Sequence, residues 1–259
     1  MNTTQRQLEI LDVLRAQGSS RIGDLASRLA VSEETIRRNV RLLASQGLVR
    51  KVHGGVHLPE LLQEPSFQFR MNEQRSAKER IAERVASMID DGNSIILDVG
   101  TTTAYVANAL RNRRDLCVVT NSISVAHILA PRKGNRVFLA GGELRAHDGG
   151  AFGIEAHAFV RQFDVQFAVL SVSAIDDTNG FMVYDMQEAD FSRVVIERAE
   201  KVIVAADSTK FERRGRAPVR LVEPSVVDCL VTDAAPPATI ATLLREAGVA
   251  VMLAGDEPR

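Results

Sequence analysis

A chain of 259 residues, 45% hydrophobic and 25% charged, is long and apolar enough to bury two cores. Its formal net charge of −1 argues against a polycation that coats nucleic acid throughout. No apolar run approaches the ~18 residues of a membrane span, two distant cysteines make no disulfide framework, and five scattered histidines show no metal-ligand spacing.

The charge is unevenly placed. Residues 1–58 carry nine Lys and Arg against five Asp and Glu, and the remainder carries 23 against 28. A basic head on an acidic body points nucleic acid to the N-terminal part. Glu9 and Asp12 interrupt the first apolar stretch, which has no signal-peptide architecture, so a cytoplasmic location is expected. Cys117 and Cys229 each sit in an apolar run and are expected as buried free thiols.

In chain order, Gln5 to Ala16 places Leu8, Ile10, Leu11, Val13 and Leu14 on a helical stripe that Gly18 ends. Ser19 and Ser20 predict the cap of a second helix, Arg21 to Leu29. Ala30 and Val31 alone separate it from Ser32, the expected N-cap of a third. Glu33 and Glu34 then sit where the helix dipole favours negative charge. Ile36, Val40 and Leu43 mark the buried face. At about 100° per residue, Arg37, Arg41 and Arg38 fan out roughly 100°, 140° and 200° from Ile36. Gly47 suits the position after the helix, and Leu48–His53 and Val56–Leu58 flank the turn pair Gly54-Gly55.

Three short helices and a basic hairpin predict a winged helix-turn-helix that binds double-stranded DNA. A guanidinium fork matches a guanine edge or a phosphate. A solvated arginine face would look similar in isolation; the two preceding helices at helix-turn-helix spacing favour DNA. Ser32, Thr35, Arg37, Arg38 and Arg41 are assigned to the DNA-facing helix, and Arg50, Lys51 and His53 to the wing. The DNA-binding domain is therefore placed at 1–58.

Residues 59–74, with two prolines and no clear period, read as a linker. A second domain, 75–259, alternates helices and strands. Ser76 predicts the cap of a helix running to Ile89. Strands are expected at Ser94–Asp98, Leu116–Thr120, Arg136–Ala140, Val165–Ser171, Lys201–Ala206, Asp228–Thr232 and Val249–Leu253. Helices lie between most of them, including Thr102–Leu110, Ile123–Leu129, Glu155–Phe163, Glu188–Glu200 and Ala238–Ala247. This pattern predicts an open, mostly parallel α/β sheet, whose ligands bind beyond the strand carboxyl ends.

Those ends are small and polar. The first strand leads into Gly100, Thr101, Thr102 and Thr103 at a helix start, where free N–H groups suit an anion. The second ends Thr120-Asn121-Ser122, and the third ends Gly141-Gly142 with Arg145 following. Asp207 and Lys210 follow a later strand, and Glu188 opens a helix. Hydroxyls, glycines, cations and carboxylates together suit a phosphorylated polyol. Each motif alone also reads as an ordinary cap or turn. No Walker loop and no GxGxxG follows a strand, so a nucleotide site is disfavoured. No cofactor is expected.

The stretch ASRLAVSEETIRRNVRLLASQGLVRKVHGGV resembles the N-terminal signature of the DeoR family of bacterial transcriptional repressors, departing from it at Asn39, where the family usually has Asp. IAERVASMIDDGNSIILDVGTTT, VVTNSISVA, LAGGELR, FGIEA, ADSTKF and LVTD resemble its effector domain. The resemblance implies a fold similar to ribose-5-phosphate isomerase and CoA-transferase-like proteins. It also implies an effector that is a phosphorylated sugar or polyol, glycerol 3-phosphate among them, and a homodimer or homotetramer on operator DNA. It carries the ligand role to Gly100–Thr103, Thr120–Ser122, Gly141, Gly142, Asp207 and Lys210. The alternative is a sugar-phosphate isomerase, for which Glu188 and Asp98 would form the acid–base pair and Lys210 the electrophile.

Overall fold

The computed structural model describes residues 3–17, 19–52, 54–57, 64–132, 134–211 and 217–255. The chain forms two units, Met1–Glu73 and Gln74–Arg259.

In the first unit, α1 (Thr3–Gln17), α2 (Ile22–Arg28) and α3 (Glu33–Ser45) enclose a core of Ile10, Leu14, Leu25, Ile36, Val40 and Leu43. These are the positions that helical spacing assigns to one face. Strand β1 (Ser19–Arg21) pairs antiparallel with β3 (Gly55–His57), which pairs with β2 (Arg50–Val52) to form the wing. Ser19 and Ser20 therefore do not cap the second helix; its N-cap is Arg21, with no side-chain bond. Ser19 and Ser20 instead pair with His57 and Val56, and the Ile22 N–H donates to the Gly54 carbonyl at 3.2 Å. Of the turn glycines only Gly54 adopts positive φ, at 75°.

Part of the stretch read as linker is structured. Ser66 caps a short helix, α4 (Phe67–Asn72), and Phe69 joins the core of the first unit. The two units divide just after it, between Glu73 and Gln74. Pro59 lies outside the described residues.

The second unit opens with α5 (Arg75–Ala86), then β4 (Ser94–Leu97), α6 (Thr101–Ala109), β5 (Cys117–Thr120), α7 (Ile123–Leu129) and β6 (Arg136–Leu139). It continues with α8 (Ile154–Val160), β7 (Val165–Leu170), β8 (Ala174–Asp176), β9 (Gly180–Val183), α9 (Met186–Ile196) and β10 (Ala199–Ala205). Strand β11 (Val219–Arg220), β12 (Cys229–Thr232), α10 (Ala238–Glu246) and β13 (Ala250–Leu253) complete it. Gln74, at φ 51°, is the N-cap of α5. Ser76 is not the cap, because it lies inside the first turn, where its hydroxyl accepts from Arg80 at 3.0 Å. Helix α9 ends at Ile196, short of Glu200, because Ala199 already pairs with Val165 in the sheet.

Seven strands form one parallel sheet in the order β13-β12-β10-β7-β4-β5-β6. Alternate residues enter opposite cores. Ile95 and Leu97 face α5, α6 and α7 with Ile81, Val85 and Val106, whereas Ile96 faces α8, α9 and α10 with Val160, Val195 and Leu244. Burial on both faces explains the unbroken apolar strands; each fully buried large side chain contributes roughly 1.5–3 kcal/mol. A small antiparallel sheet, β11-β9-β8, is an addition that the alternating pattern did not predict. Cys229 is buried, and burial pushes its thiol up to about 11. Cys117 is only half-buried.

From β4 the chain winds outward through β5 to β6, then returns to the other flank of β4 as β7. The winding reverses between β4 and β7, and the crevice at such a point is the expected ligand position.

Candidate functional sites

The first candidate is the exposed side of α3 and the wing. Ser32 caps the helix, accepting from the Thr35 N–H at 3.3 Å, and the two hydroxyls lie 2.9 Å apart. Their side chains thus fix the helix start. Arg37 donates to Glu33 at 2.7 Å, and Arg41 stands 3.8 Å from Glu34. Both pairs are exposed and contribute little stability. Arg38, Arg50 and Lys51 are exposed with no bond or ion pair among the described residues. Among the described residues, Arg38 is thus the arginine of α3 without an intramolecular partner. His53 lies outside the described residues.

A cleft of about 340 Å³ separates the helix from the wing, with Arg37, Arg41 and Lys51 around Ile22, Val40 and Val52. Three cations converging on a shallow cleft suit one sugar-phosphate strand. Asn39 is buried and donates to the Thr35 carbonyl at 2.8 Å, a bond an aspartate could not make.

The second candidate is at the reversal of the sheet. Asp98, after β4, accepts from the Ser171 N–H at 2.9 Å and from its hydroxyl at 3.4 Å. Burial raises the Asp98 carboxyl well above the usual carboxylate range; the Ser171 and Thr103 bonds oppose this, and the Glu188 charge adds to it. Thr101, Thr102 and Thr103 lie buried in the first turn of α6, and Thr103 donates to the Asp98 carbonyl at 2.9 Å. Gly100 is the N-cap of α6 and has no room for a side chain.

Thr120, Asn121 and Ser122 are fully buried at the end of β5. Asn121 donates to the Ala151 carbonyl at 3.0 Å, and Ser122 accepts from the Val125 N–H at 3.4 Å, capping α7. The Asn121 Oδ1 is buried without a partner among the described residues. Asp207 is buried, accepts from the Thr209 N–H at 3.1 Å and opens a single 3-10 turn that contains buried Lys210. All of these lie at the carboxyl end of the sheet. Gly141 and Gly142 differ: they are exposed, and a Cβ at Gly141 would meet open space, so no close approach explains that glycine.

The sequence named Arg145 but missed its setting. Its guanidinium lies over Phe152, 4.3 Å from the ring centroid, and donates to Asp148 and Glu188, with Asp185 at 3.3 Å. Burial works against the cation, but its bonds to Asp148 and the charge of Glu188 outweigh this and raise its pKa. Burial alone would raise Asp148; the bonds from Arg145 and from the Gly150 N–H hold its carboxyl below the usual value. The two carboxylates of the isomerase alternative, Glu188 and Asp98, are both hydrogen-bonded. Asp98 is bonded to Ser171, and Glu188 to Arg145. Among the described residues no group of three or more His, Cys, Asp or Glu is placed to hold a metal, and no helix is long and apolar enough to cross a membrane.

The family described as "DeoR-like helix-turn-helix domain" matches residues 6–61, and "DeoR C terminal sensor domain" matches residues 73–234. The glycerol-3-phosphate regulon repressor of Escherichia coli (strain K12) is 37% identical over 95% of this chain and 97% of its own. The HTH-type transcriptional repressor CsqR of the same strain is 35% identical over 96% and 94%. Among solved structures, a D-ribose-5-phosphate isomerase in complex with phospho-erythronic acid aligns over 55% of each chain at 17% identity, with a TM-score of 0.40.

Proposed function

The chain belongs to the DeoR family of transcriptional regulators, and on that premise we propose that it is a repressor whose hold on operator DNA is set by a phosphorylated polyol or sugar. The observation that carries the DNA half is the capped helix α3, with exposed Arg38 between Arg37 and Arg41 and a cationic cleft beside it. Arg38 reads a base edge, while Arg37, Arg41 and Lys51 hold one phosphate strand between helix and wing. Wing residues Arg50 and His53 extend the backbone contacts. A two-fold operator requires two heads, so the working form is a homodimer or homotetramer.

The second unit, from residue 75 on, is the sensor. The phosphate sits at the start of α6, on the N–H groups of Thr101–Thr103, with Lys210 supplying positive charge. Thr120, Asn121, Ser122, Asp207 and Glu188 border the polyol, and Gly141 and Gly142 lie on the flanking loop. The tied-up Asp98 and Glu188 favour binding over isomerisation. Because the Escherichia coli relative above is named for the glycerol-3-phosphate regulon, glycerol 3-phosphate is the first ligand to try.

The test is a thermal shift of the full chain against phosphorylated metabolites of three to six carbons, followed by operator release with any that bind. A ligand specific to the native state raises the melting temperature by mass action. A selective rise coupled to a change in operator affinity supports the reading; binding without any change in operator affinity removes the regulatory half.

A further inference from the structure

Arg145 is surrounded by more negative charge than it can balance: Asp148, Asp185 and Glu188 all face one guanidinium. Its three carboxylate partners are not equivalent. The Asp148 side chain is 2% exposed, sits three residues away on the same loop, and is also fixed by the Gly150 N–H at 3.1 Å. Asp185 is 40% exposed and is already the cap of α9, accepting from the Gln187 N–H at 2.7 Å. Glu188 reaches Arg145 from the first turn of α9, is 17% exposed, and is joined to the loop by no short chain connection. A flexible, partly solvated side chain is the member of such a cluster that exchanges most readily with an incoming anion. The loop that carries Arg145 is bonded to the crevice wall: the Asn121 side-chain amide donates to the Ala151 carbonyl at 3.0 Å, and the Ala151 N–H donates to the Asn121 carbonyl at 2.9 Å.

We propose that Glu188 is a built-in competitor for the anion site: its carboxylate holds the guanidinium face of Arg145 that an effector phosphate takes, and the phosphate binds by displacing it. This rests on the reading of the crevice as a phosphate-ester site and adds Arg145 to it. The exchange keeps the guanidinium paired throughout, one oxyanion for another. It also removes one of the two ties between the start of α9 and the loop after β6, leaving the one through Asp185, so the ligand meets different contacts in the two states, which a switch requires.

The experiment compares wild type, Glu188→Gln, Asp185→Asn and Arg145→Gln as full chains, titrated with glycerol 3-phosphate and, separately, inorganic phosphate by calorimetry. Melting curves establish that each variant is folded. Glu188→Gln is expected to bind roughly tenfold tighter than wild type, since a neutral amide competes poorly for the guanidinium. Asp185→Asn keeps the helix cap and should change affinity less than about twofold. Arg145→Gln should bind more weakly than wild type. Weaker or unchanged binding by Glu188→Gln overturns the proposal while leaving the phosphate site standing. Equal tightening by Asp185→Asn overturns it too, because the effect would then be the general field. Binding by Glu188→Gln where wild type has none supports it. If neither protein binds either probe, the phosphate reading of the crevice falls and the proposal with it.

Discussion

The hydroxyl oxygen of Ser171 stands 2.0 Å from the point that a Cβ on Gly100 would occupy, and the Ser171 Cβ stands 2.9 Å from it. Two strand ends, β4 and β7, thus meet with no space for a methyl group between them. Gly100→Ala is expected to destabilise the chain by about 1–3 kcal/mol through overpacking. Adding Ser171→Gly should recover most of that loss, and urea unfolding of the four-protein cycle measures the coupling. Additive effects would mean that the two residues do not compete for the same space.

Asp98 gives a pH-dependent prediction whose sign follows from its raised carboxyl. The folded chain keeps this proton to higher pH than the unfolded chain, so stability falls as pH rises from the ordinary Asp range toward the folded value. Asp98→Asn carries no such proton and still accepts the Ser171 N–H. The melting temperature of the variant, relative to wild type, should therefore rise as pH is raised from the ordinary Asp range. A difference that shrinks as pH rises would mean that Asp98 is ionised in the folded protein.

Much of the architecture is legible because burial writes it locally. Ile95-Ile96-Leu97 and Val202–Ala205 are apolar on both faces, which marks central parallel strands. Ser32 lies next to the turn it caps, so its role needs no tertiary knowledge. What was illegible depends on distance. Ser19 and Ser20 look like a cap until β3 arrives to pair with them. Helix α4 has six residues, too few for a period to show. The bond from Arg145 to Glu188 spans 43 positions and has no local signal. For the same reason the strand ends could be named singly, but the tie between Asp98 and Ser171, 73 positions apart, could not.

On DNA, the two kinds of cation should separate. Arg38→Ala removes an exposed guanidinium and should cost about 1–3 kcal/mol on the preferred operator while narrowing the gap to non-specific DNA. Lys51→Ala should weaken all sequences alike and lower the slope of log affinity against log salt by about one. Binding titrations at several salt concentrations, on operator and scrambled duplexes, give both quantities. If Arg38→Ala affects both duplexes equally, that arginine contacts phosphate and the base-reading assignment is wrong.

Lys210 is the cation that most directly separates sensing from DNA binding. It is 6% exposed on the turn after β10, in a different unit from the helix and wing. Lys210→Met preserves volume and removes the charge; Lys210 is buried and has an intramolecular partner, so the variant is expected to melt below wild type, and a melting curve establishes that it is folded. Affinity for the phosphorylated ligand should fall roughly tenfold to a hundredfold, the worth of a charge-assisted bond. Operator affinity without ligand should stay at the wild-type value, and the ligand concentration needed to alter it should rise by the same factor as the ligand dissociation constant. Calorimetry for the ligand and a gel-shift titration for the operator measure the two arms on one preparation. Wild-type ligand affinity in a folded variant would place Lys210 outside the site and leave the phosphate to the start of α6 and Arg145.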